Sequence, residues 1–260
     1  MQSKQIFFFD FDDTLYSHTT KSVPKSTQYA LNKLRAHGHT LVISTGRGPD
    51  SMSFIQQQVA VPCDMMVFLN GQLIFRKGQK VFERFITLPS IHFILEKMRA
   101  HGFAYGGYSA HGEMVDHVNE RVSVVWNDFL CTPPPVMERF ESSYPLYQAH
   151  LYITKEEAEH VKEHLDDYWT NWSHEYMVNL ISKEAGKSQA VRWFLGELDI
   201  PKEHSFAFGD GFNDQDMLVS VGHGIAMGNA LDELKQVAEH VTGRADEDGI
   251  RQALEFYGII

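Results

Sequence analysis

The chain has 260 residues, 43% hydrophobic and 22% charged, a globular balance with material for one large domain or two smaller ones. A formal net charge of -11 disfavours nucleic acid and anionic lipid as general partners, and no apolar run approaches the ~18 residues of a membrane span. Two cysteines, Cys63 and Cys131, exclude a disulfide framework and point to a reducing cytoplasm.

In chain order, Ile6–Phe9 reads as a buried strand; it runs straight into Asp10 and lacks the shape of a signal peptide. Ser26 to His37 predicts a helix with Ala30, Leu31 and Leu34 on one face and Gly38 as its stop. Leu41–Ile43 and Met65–Leu69 are further buried strands, with a helix over Asp50 to Gln58 between them. Gln72–Phe75 and Val81–Ile86 flank Lys77-Gly78 and read as a hairpin. From Pro89 the rhythm changes: Pro133-Pro134-Pro135 is a loop, Gln148–Ile153 a strand, and Lys155–Tyr168 a charge-rich helix. After Lys187 the strand–helix alternation returns, with a helical stripe through Ala190, Val191, Phe194, Leu195 and Leu198, then the strand Ser205–Phe208. Alternation of this kind predicts an α/β fold with a Rossmann-like parallel sheet, here split by an inserted α+β domain.

Polar groups follow three of these strands. Asp10 and Asp12 follow the first, Thr45 the second, and Asp210, Asn213 and Asp214 follow Ser205–Phe208. In an open parallel sheet, ligands bind beyond the carboxyl ends of the strands, so these groups gather at one edge. Asp10-Phe11-Asp12-Asp13-Thr14 places three carboxylates in four positions, which repel one another unless a cation sits among them; hard oxygen ligands suit Mg²⁺. Thr45-Gly46-Arg47 offers a hydroxyl, backbone N–H groups and a guanidinium to a phosphate. Lys187 opens a helix, where a cation opposes the helix dipole unless an anion lies nearby. Each feature alone also suits an ordinary turn or surface.

Together, Asp10-x-Asp12-x-Thr14, Thr45-Gly46-Arg47, Lys187 and Gly209-Asp210-Gly211-x-Asn213-Asp214 resemble the four motifs of the haloacid dehalogenase superfamily. Leu69-Asn70-Gly71 and Gly224-Ile225-Ala226-Met227-Gly228-Asn229-Ala230 are similar to segments of its Cof-like branch, class IIB. The resemblance implies a discontinuous core, 1–85 and 183–260, and an inserted α/β cap, 86–182, that sets substrate specificity. It implies a Mg²⁺-dependent phosphatase acting on small phosphate monoesters, sugar phosphates first among them. In that scheme Asp10 attacks phosphorus and Asp12 serves as acid and base. Asp10, the carbonyl of Asp12, and Asp210 hold the metal, with Asp214 on a metal-bound water or on Lys187. Thr45, Gly46, Arg47, Asn70, Lys187 and Asn213 bind the phosphoryl group, and Asn179 contacts substrate from the cap. Three positions depart from the branch: Asp13 and Ser188 each stand where glycine is usual, and Asn179 stands where an acidic residue is usual.

Other readings compete. A phosphomutase of the same superfamily would share the nucleophile, and a non-catalytic phosphate-binding protein would share the cradle. His160-Val161-Lys162-Glu163-His164 matches the inverted zinc-protease pattern, which needs both histidines on one helical face. Tyr176 and Ser182, with Asn179, offer hydrogen bonds to hydroxyl groups, and Trp169 and Trp172 offer apolar faces to a sugar ring.

Overall fold

The computed structural model describes residues 4–63, 65–86, 89–129, 131–142 and 144–260. The strands are β1 (Ile6–Phe9), β2 (Thr40–Ser44), β3 (Met65–Phe68), β4 (Leu73–Arg76), β5 (Gln79–Glu83), β6 (Tyr105–Ser109), β7 (Gly112–Val115), β8 (Leu146–Leu151), β9 (Tyr168–His174), β10 (Met177–Ser182), β11 (Ser205–Gly209), β12 (His223–Ala226) and β13 (His240–Val241). The helices are α1 (Lys25–Ala36), α2 (Met52–Val59), α3 (Pro89–Ala100), α4 (Glu120–Asp128), α5 (Lys187–Leu198), α6 (Gln215–Ser220), α7 (Asp232–Val237) and α8 (Gly249–Phe256). Two compact units form: Met1–Glu83 with Ala185–Ile260, and Arg84–Glu184.

The first unit carries an eight-stranded sheet in the order β13-β12-β11-β1-β2-β3-β4-β5. Six of these strands are parallel, and β4 and β5 turn back antiparallel at the edge. Ile6–Phe9 is an unbroken apolar run because both faces of β1 are covered. Phe7 stacks on Phe206 at 4.8 Å and Phe9 on Phe208 at 4.9 Å, on the register that pairs β1 with β11. On the other face Ile6 and Phe8 pack with Val42, Ala207 and Phe194 of α5. The hairpin turns through Lys77 and Gly78, both at positive φ (52° and 77°), the backbone twist a two-residue hairpin loop demands.

The second unit is a five-stranded antiparallel sheet, β7-β6-β8-β10-β9. Tyr105, Ala149, Leu151, Val178 and Leu180 face one core, which includes Ile94, Leu95 and Met98 of α3. The expected helix over Lys155–Tyr168 does not form. The segment makes two 3-10 turns, Glu157–His160 and Lys162–His164, and Tyr168 already opens β9. Ala158, Val161 and Leu165 still pack into the core of the unit, but on two short turns instead of one continuous helix, and polar contacts pin the path between them. Arg121 of α4 grips Glu157 through its two terminal guanidinium nitrogens at 2.5 and 2.8 Å, and the Thr154 backbone N–H donates to the same carboxylate. His160 stacks on His101 at 4.3 Å, and His164 lies tilted against Phe93 with ring centroids 3.9 Å apart. The helical face required by the zinc-protease reading is absent.

Candidate active site

Parallel strands deliver the predicted polar groups to one edge. Asp10 follows β1, Thr45 follows β2, Asn70 follows β3 and Asp210 follows β11, and these four strands are adjacent in the sheet. The backbone extends the pairing past the strand ends, with Asp10 N–H donating to Phe208 O at 3.0 Å and Thr45 N–H to Val67 O at 2.9 Å.

Lys187, the first residue of α5, is fully buried. Its ammonium donates to Asp10 Oδ1 at 2.5 Å and to Asp214 Oδ1 at 2.6 Å. Asp214 Oδ2 accepts from the backbone N–H groups of Asp210 (3.0 Å) and Gly211 (2.9 Å). Both Asp214 oxygens are thereby engaged, and its role in this arrangement is to hold Lys187 and the Asp210 loop. Thr14 Oγ1 donates to Asp210 Oδ1 at 2.7 Å.

Oxygens of Asp10, Asp210 and Asp214 lie within 4.8 Å of one another, the one group of three or more potential metal ligands among the described residues. Burial raises the Asp10 carboxyl well above its usual range, against the opposing pull of Lys187 and with further repulsion from Asp214 and Asp210. Burial, then the Asp214 charge, pushes Asp210 up to about 7. Burial disfavours the Lys187 ammonium, but the Asp10 and Asp214 charges outweigh it and the pKa rises. Lys187 does not offset the burial and mutual repulsion of Asp10 and Asp210, and a hard divalent cation between these two carboxylates would supply the further positive charge.

The residues expected to cradle a phosphate are also brought together. Thr45, 1% exposed, accepts at Oγ1 from Arg47 N–H (3.1 Å) and at its carbonyl from Asn70 N–H (3.1 Å). Asn213 Nδ2 donates to Asn70 Oδ1 at 2.9 Å, and both side chains lie over Gly46, where a Cβ would sit 3.3 Å from Asn70 Oδ1. Gly71 fixes the approach of α5: at φ +94° it runs so close that a Cβ would stand 2.1 Å from Gly186 O. Gly186 N–H in turn donates to Asn70 O at 3.0 Å, which sets Lys187 beside the strand ends.

Arg47, expected at the phosphate, is paired with Asp12. Its Nε and Nη2 clamp the Asp12 carboxylate at 2.8 and 2.7 Å, and its guanidinium lies over Phe11 and Phe54. His18 Nε2 meets Asp12 Oδ1 at 2.9 Å from the other side. Burial works against the Asp12 charge, but Arg47 and His18 outweigh it and hold the carboxyl below its usual range.

Thr14 and Asn229 stand in the quoted motifs, whereas three further partners in this network are invisible to motif reading: His18, Gly186 and Asp216. Asp216 Oδ2 accepts from Ser188 N–H at 3.0 Å, so Ser188 keeps its backbone contact despite its side chain. Asn229 Nδ2 donates to Asp13 O at 2.8 Å, the contact that ties the Gly224–Ala230 segment to the first motif. Asp13 sits at φ 53° with its carboxylate accepting from His18 N–H at 2.9 Å; Asp tolerates this conformation better than most residues, which accounts for its standing in a glycine position. Asn179 lies on β10 of the second unit, its Nδ2 donating to Ser173 Oγ at 3.2 Å.

The model of the haloacid dehalogenase-like hydrolase family matches residues 7–254. The chain is 28% identical over its whole length to all of a Bacillus subtilis (strain 168) protein named "Putative phosphatase YkrA". It is 24% identical over 95% of its length to 95% of the 5-amino-6-(5-phospho-D-ribitylamino)uracil phosphatase YitU of the same organism. Among solved structures, 99% of the chain superposes on 100% of the haloacid dehalogenase subclass IIB sugar phosphatase BT4131, with a TM-score of 0.84 and 27% identity. A match of this extent, on a sheet that gathers all four motifs at one edge, makes the chain a member of the haloacid dehalogenase-like hydrolase family.

Proposed function

We propose that the chain is a Mg²⁺-dependent phosphatase of small phosphate monoesters, working through an aspartyl-phosphate on Asp10. The observation that carries this reading is the buried Lys187 bridging Asp10 and Asp214 beside Asp210. Asp10, Asp210 and the Asp12 carbonyl would hold Mg²⁺, which when bound neutralises phosphoryl charge and screens the nucleophile from it. Lys187 occupies Asp10 Oδ1 and leaves Oδ2 for attack on phosphorus. As the P–O bond to the leaving group breaks, that oxygen takes a proton from Asp12. A water then attacks the phosphorus of the aspartyl-phosphate, gives its proton to Asp12, and releases phosphate and free Asp10. Arg47 and His18 favour the ionised Asp12 that this second step requires, so the first step needs their hold on it loosened. Thr45, Asn213 and Lys187 stabilise the equatorial phosphoryl oxygens, with Gly46 leaving room for the phosphate and Asn70 orienting Asn213.

The substrate we infer is a sugar or polyol phosphate, with the Arg84–Glu184 unit reading the hydroxyl groups. Register and alternation put Gln148 and His150 of β8 and Asn179 of β10 on one face of the second sheet. Gln148 Nε2 and Asn179 Oδ1 are buried with no hydrogen-bond partner among the described residues, one donor and one acceptor, the pair a hydroxyl satisfies. Ser182 and Trp172 are less suited to that role: Ser182 Oγ accepts from Glu184 N–H, and Trp172 packs against the core of the unit. Tyr176, half-buried, packs beside Val122 and Val125 of α4. Trp169 remains exposed. The names of BT4131, a sugar phosphatase, and of YitU, whose substrate carries a phosphorylated ribityl chain, support the same class.

Phosphate release from a panel of metabolites tests the reading. Turnover of hexose or pentose phosphates with Mg²⁺, lost in EDTA, is expected, and Asn179→Asp should reorder the ranking. Exclusive turnover of nucleotides or phosphoproteins, or full activity without metal, would contradict it; dependence on a bisphosphate activator would favour the mutase.

A further inference from the structure

The charge of the chain is unevenly spread. Residues 14–82 hold eight Lys or Arg against two acids, Asp50 and Asp64, although the whole chain is at -11. The fold draws part of this basic stretch around one cavity of about 400 Å³, whose lining includes Lys4, Arg35, His39, Arg76 and Lys77 and, among the described residues, no acidic one. Among the described residues none of those four Lys and Arg side chains forms an ion pair, though nineteen ion pairs occur elsewhere. Arg35 donates to the carbonyl of Pro62, another lining residue, which holds its guanidinium at the wall.

The cavity is remote from the catalytic groups. Lys4 precedes β1, Thr40 and Leu41 open β2, Met65 opens β3, and Arg76 ends the antiparallel β4, so the lining lies at the amino edge of the parallel strands. Asp10, Thr45 and Asn70 lie at their carboxyl edge, roughly 15 Å away along strands that rise ~3.3 Å per residue. His39 adds a donor. It is 7% exposed, and its Nδ1 accepts from Gln5 N–H at 3.2 Å, so the neutral ring carries its proton on Nε2. That buried Nε2–H has no partner among the described residues. An adjoining cavity of about 360 Å³ shares Pro62 and Lys77 and extends past Gln56 and Cys63.

We propose that this cavity is a second anion site, built for a small molecule carrying two or more phosphate groups. Four cations with no ion-pair partner among the described residues repel each other around one concave space, and an anion of matching charge removes that repulsion. One phosphate monoester would leave much of the charge uncompensated; a diphosphate spans it, and the adjoining cavity has room for an uncharged remainder. A long nucleic acid would meet the negative surface of the rest of the chain, and a bounded cavity favours a small ligand.

The test is calorimetric titration of inorganic pyrophosphate into the full chain in metal-free, low-salt buffer. Wild type, Arg76→Ala/Lys77→Ala and the catalytic-edge variant Asn213→Ala are compared, with melting temperature as the check on folding of each and sugar-phosphate turnover as a second check on the double alanine variant. The expected result is binding that weakens tenfold or more in Arg76→Ala/Lys77→Ala, holds in Asn213→Ala, and survives in Arg76→Lys/Lys77→Arg. Turnover in the double alanine variant should stay within about twofold of wild type. No binding to wild type, equal affinity in the double alanine variant, or a loss confined to Asn213→Ala would overturn the proposal. So would single-stranded RNA binding through Arg76 and Lys77 with no pyrophosphate binding.

Discussion

Lys187 shows how one residue acquires meaning from its surroundings. As a sequence letter it is one of 23 Lys and Arg; buried between Asp10 and Asp214 it is the only cation paired with that acidic cluster among the described residues. Replacing it with Met keeps the volume but leaves two buried carboxylates without their partner, and a broken buried pair costs ~3–5 kcal/mol. Titration of the cluster gives a sharper prediction. Asp210 titrates near 7 in the folded chain against 3.8 for the free side chain, so the folded state holds this proton more tightly. Stability from that proton is full below about pH 4 and is lost as pH rises to about 7. A Mg²⁺ ion held by Asp210, as proposed, would compete with the same proton. The rise in melting temperature with saturating Mg²⁺ should therefore be larger at pH 8 than at pH 5.5; at ~100 times its Kd a ligand adds ~2.7 kcal/mol. An equal rise at both pH values, measured by differential scanning fluorimetry, would contradict a metal at Asp210.

At the scale of elements, the loop Leu69–Gly71 links two parts of the site far apart in sequence. It carries Asn70 over Gly46 and brings Gly71 against Gly186, the residue before Lys187. Gly71→Ala would force a Cβ into a carbonyl oxygen at a φ of +94°. The expected loss is ~2 kcal/mol or more in urea unfolding, with turnover falling further than stability alone explains because α5 shifts. An unchanged urea midpoint and turnover would show that α5 does not depend on this contact. The elements also mark where sequence reading works. Strands buried on both faces, such as Ile6–Phe9 and Ser205–Phe208, announce themselves as apolar runs, and their ends locate Asp10 and Asp210. The segment after Lys155 carries a helical spacing, Ala158, Val161 and Leu165, that ends up on two short turns; contacts from Arg121, His101 and Phe93 shape it, and local periodicity carries no trace of them. His18 was equally hidden, because only the tight fold of Asp13–Tyr16, with Asp13 N–H donating to Tyr16 O at 2.7 Å, returns its ring to Asp12.

At the scale of the whole molecule, a chain at -11 binds phosphate only by concentrating positive charge. Lys187 and the inferred metal do so at the carboxyl edge of the core sheet, and Lys4, Arg35, Arg76 and Lys77 at the amino edge. The central claim is that Asp10 at the carboxyl edge is the nucleophile. The most direct measurement is rapid acid quench of the enzyme turning over ³²P-labelled sugar phosphate with Mg²⁺, comparing wild type with Asp10→Asn. The account predicts an acid-stable, hydroxylamine-labile label on wild-type protein and none on Asp10→Asn, whose turnover falls by several orders of magnitude while its circular dichroism is unchanged. Turnover at wild-type rates by Asp10→Asn would contradict it.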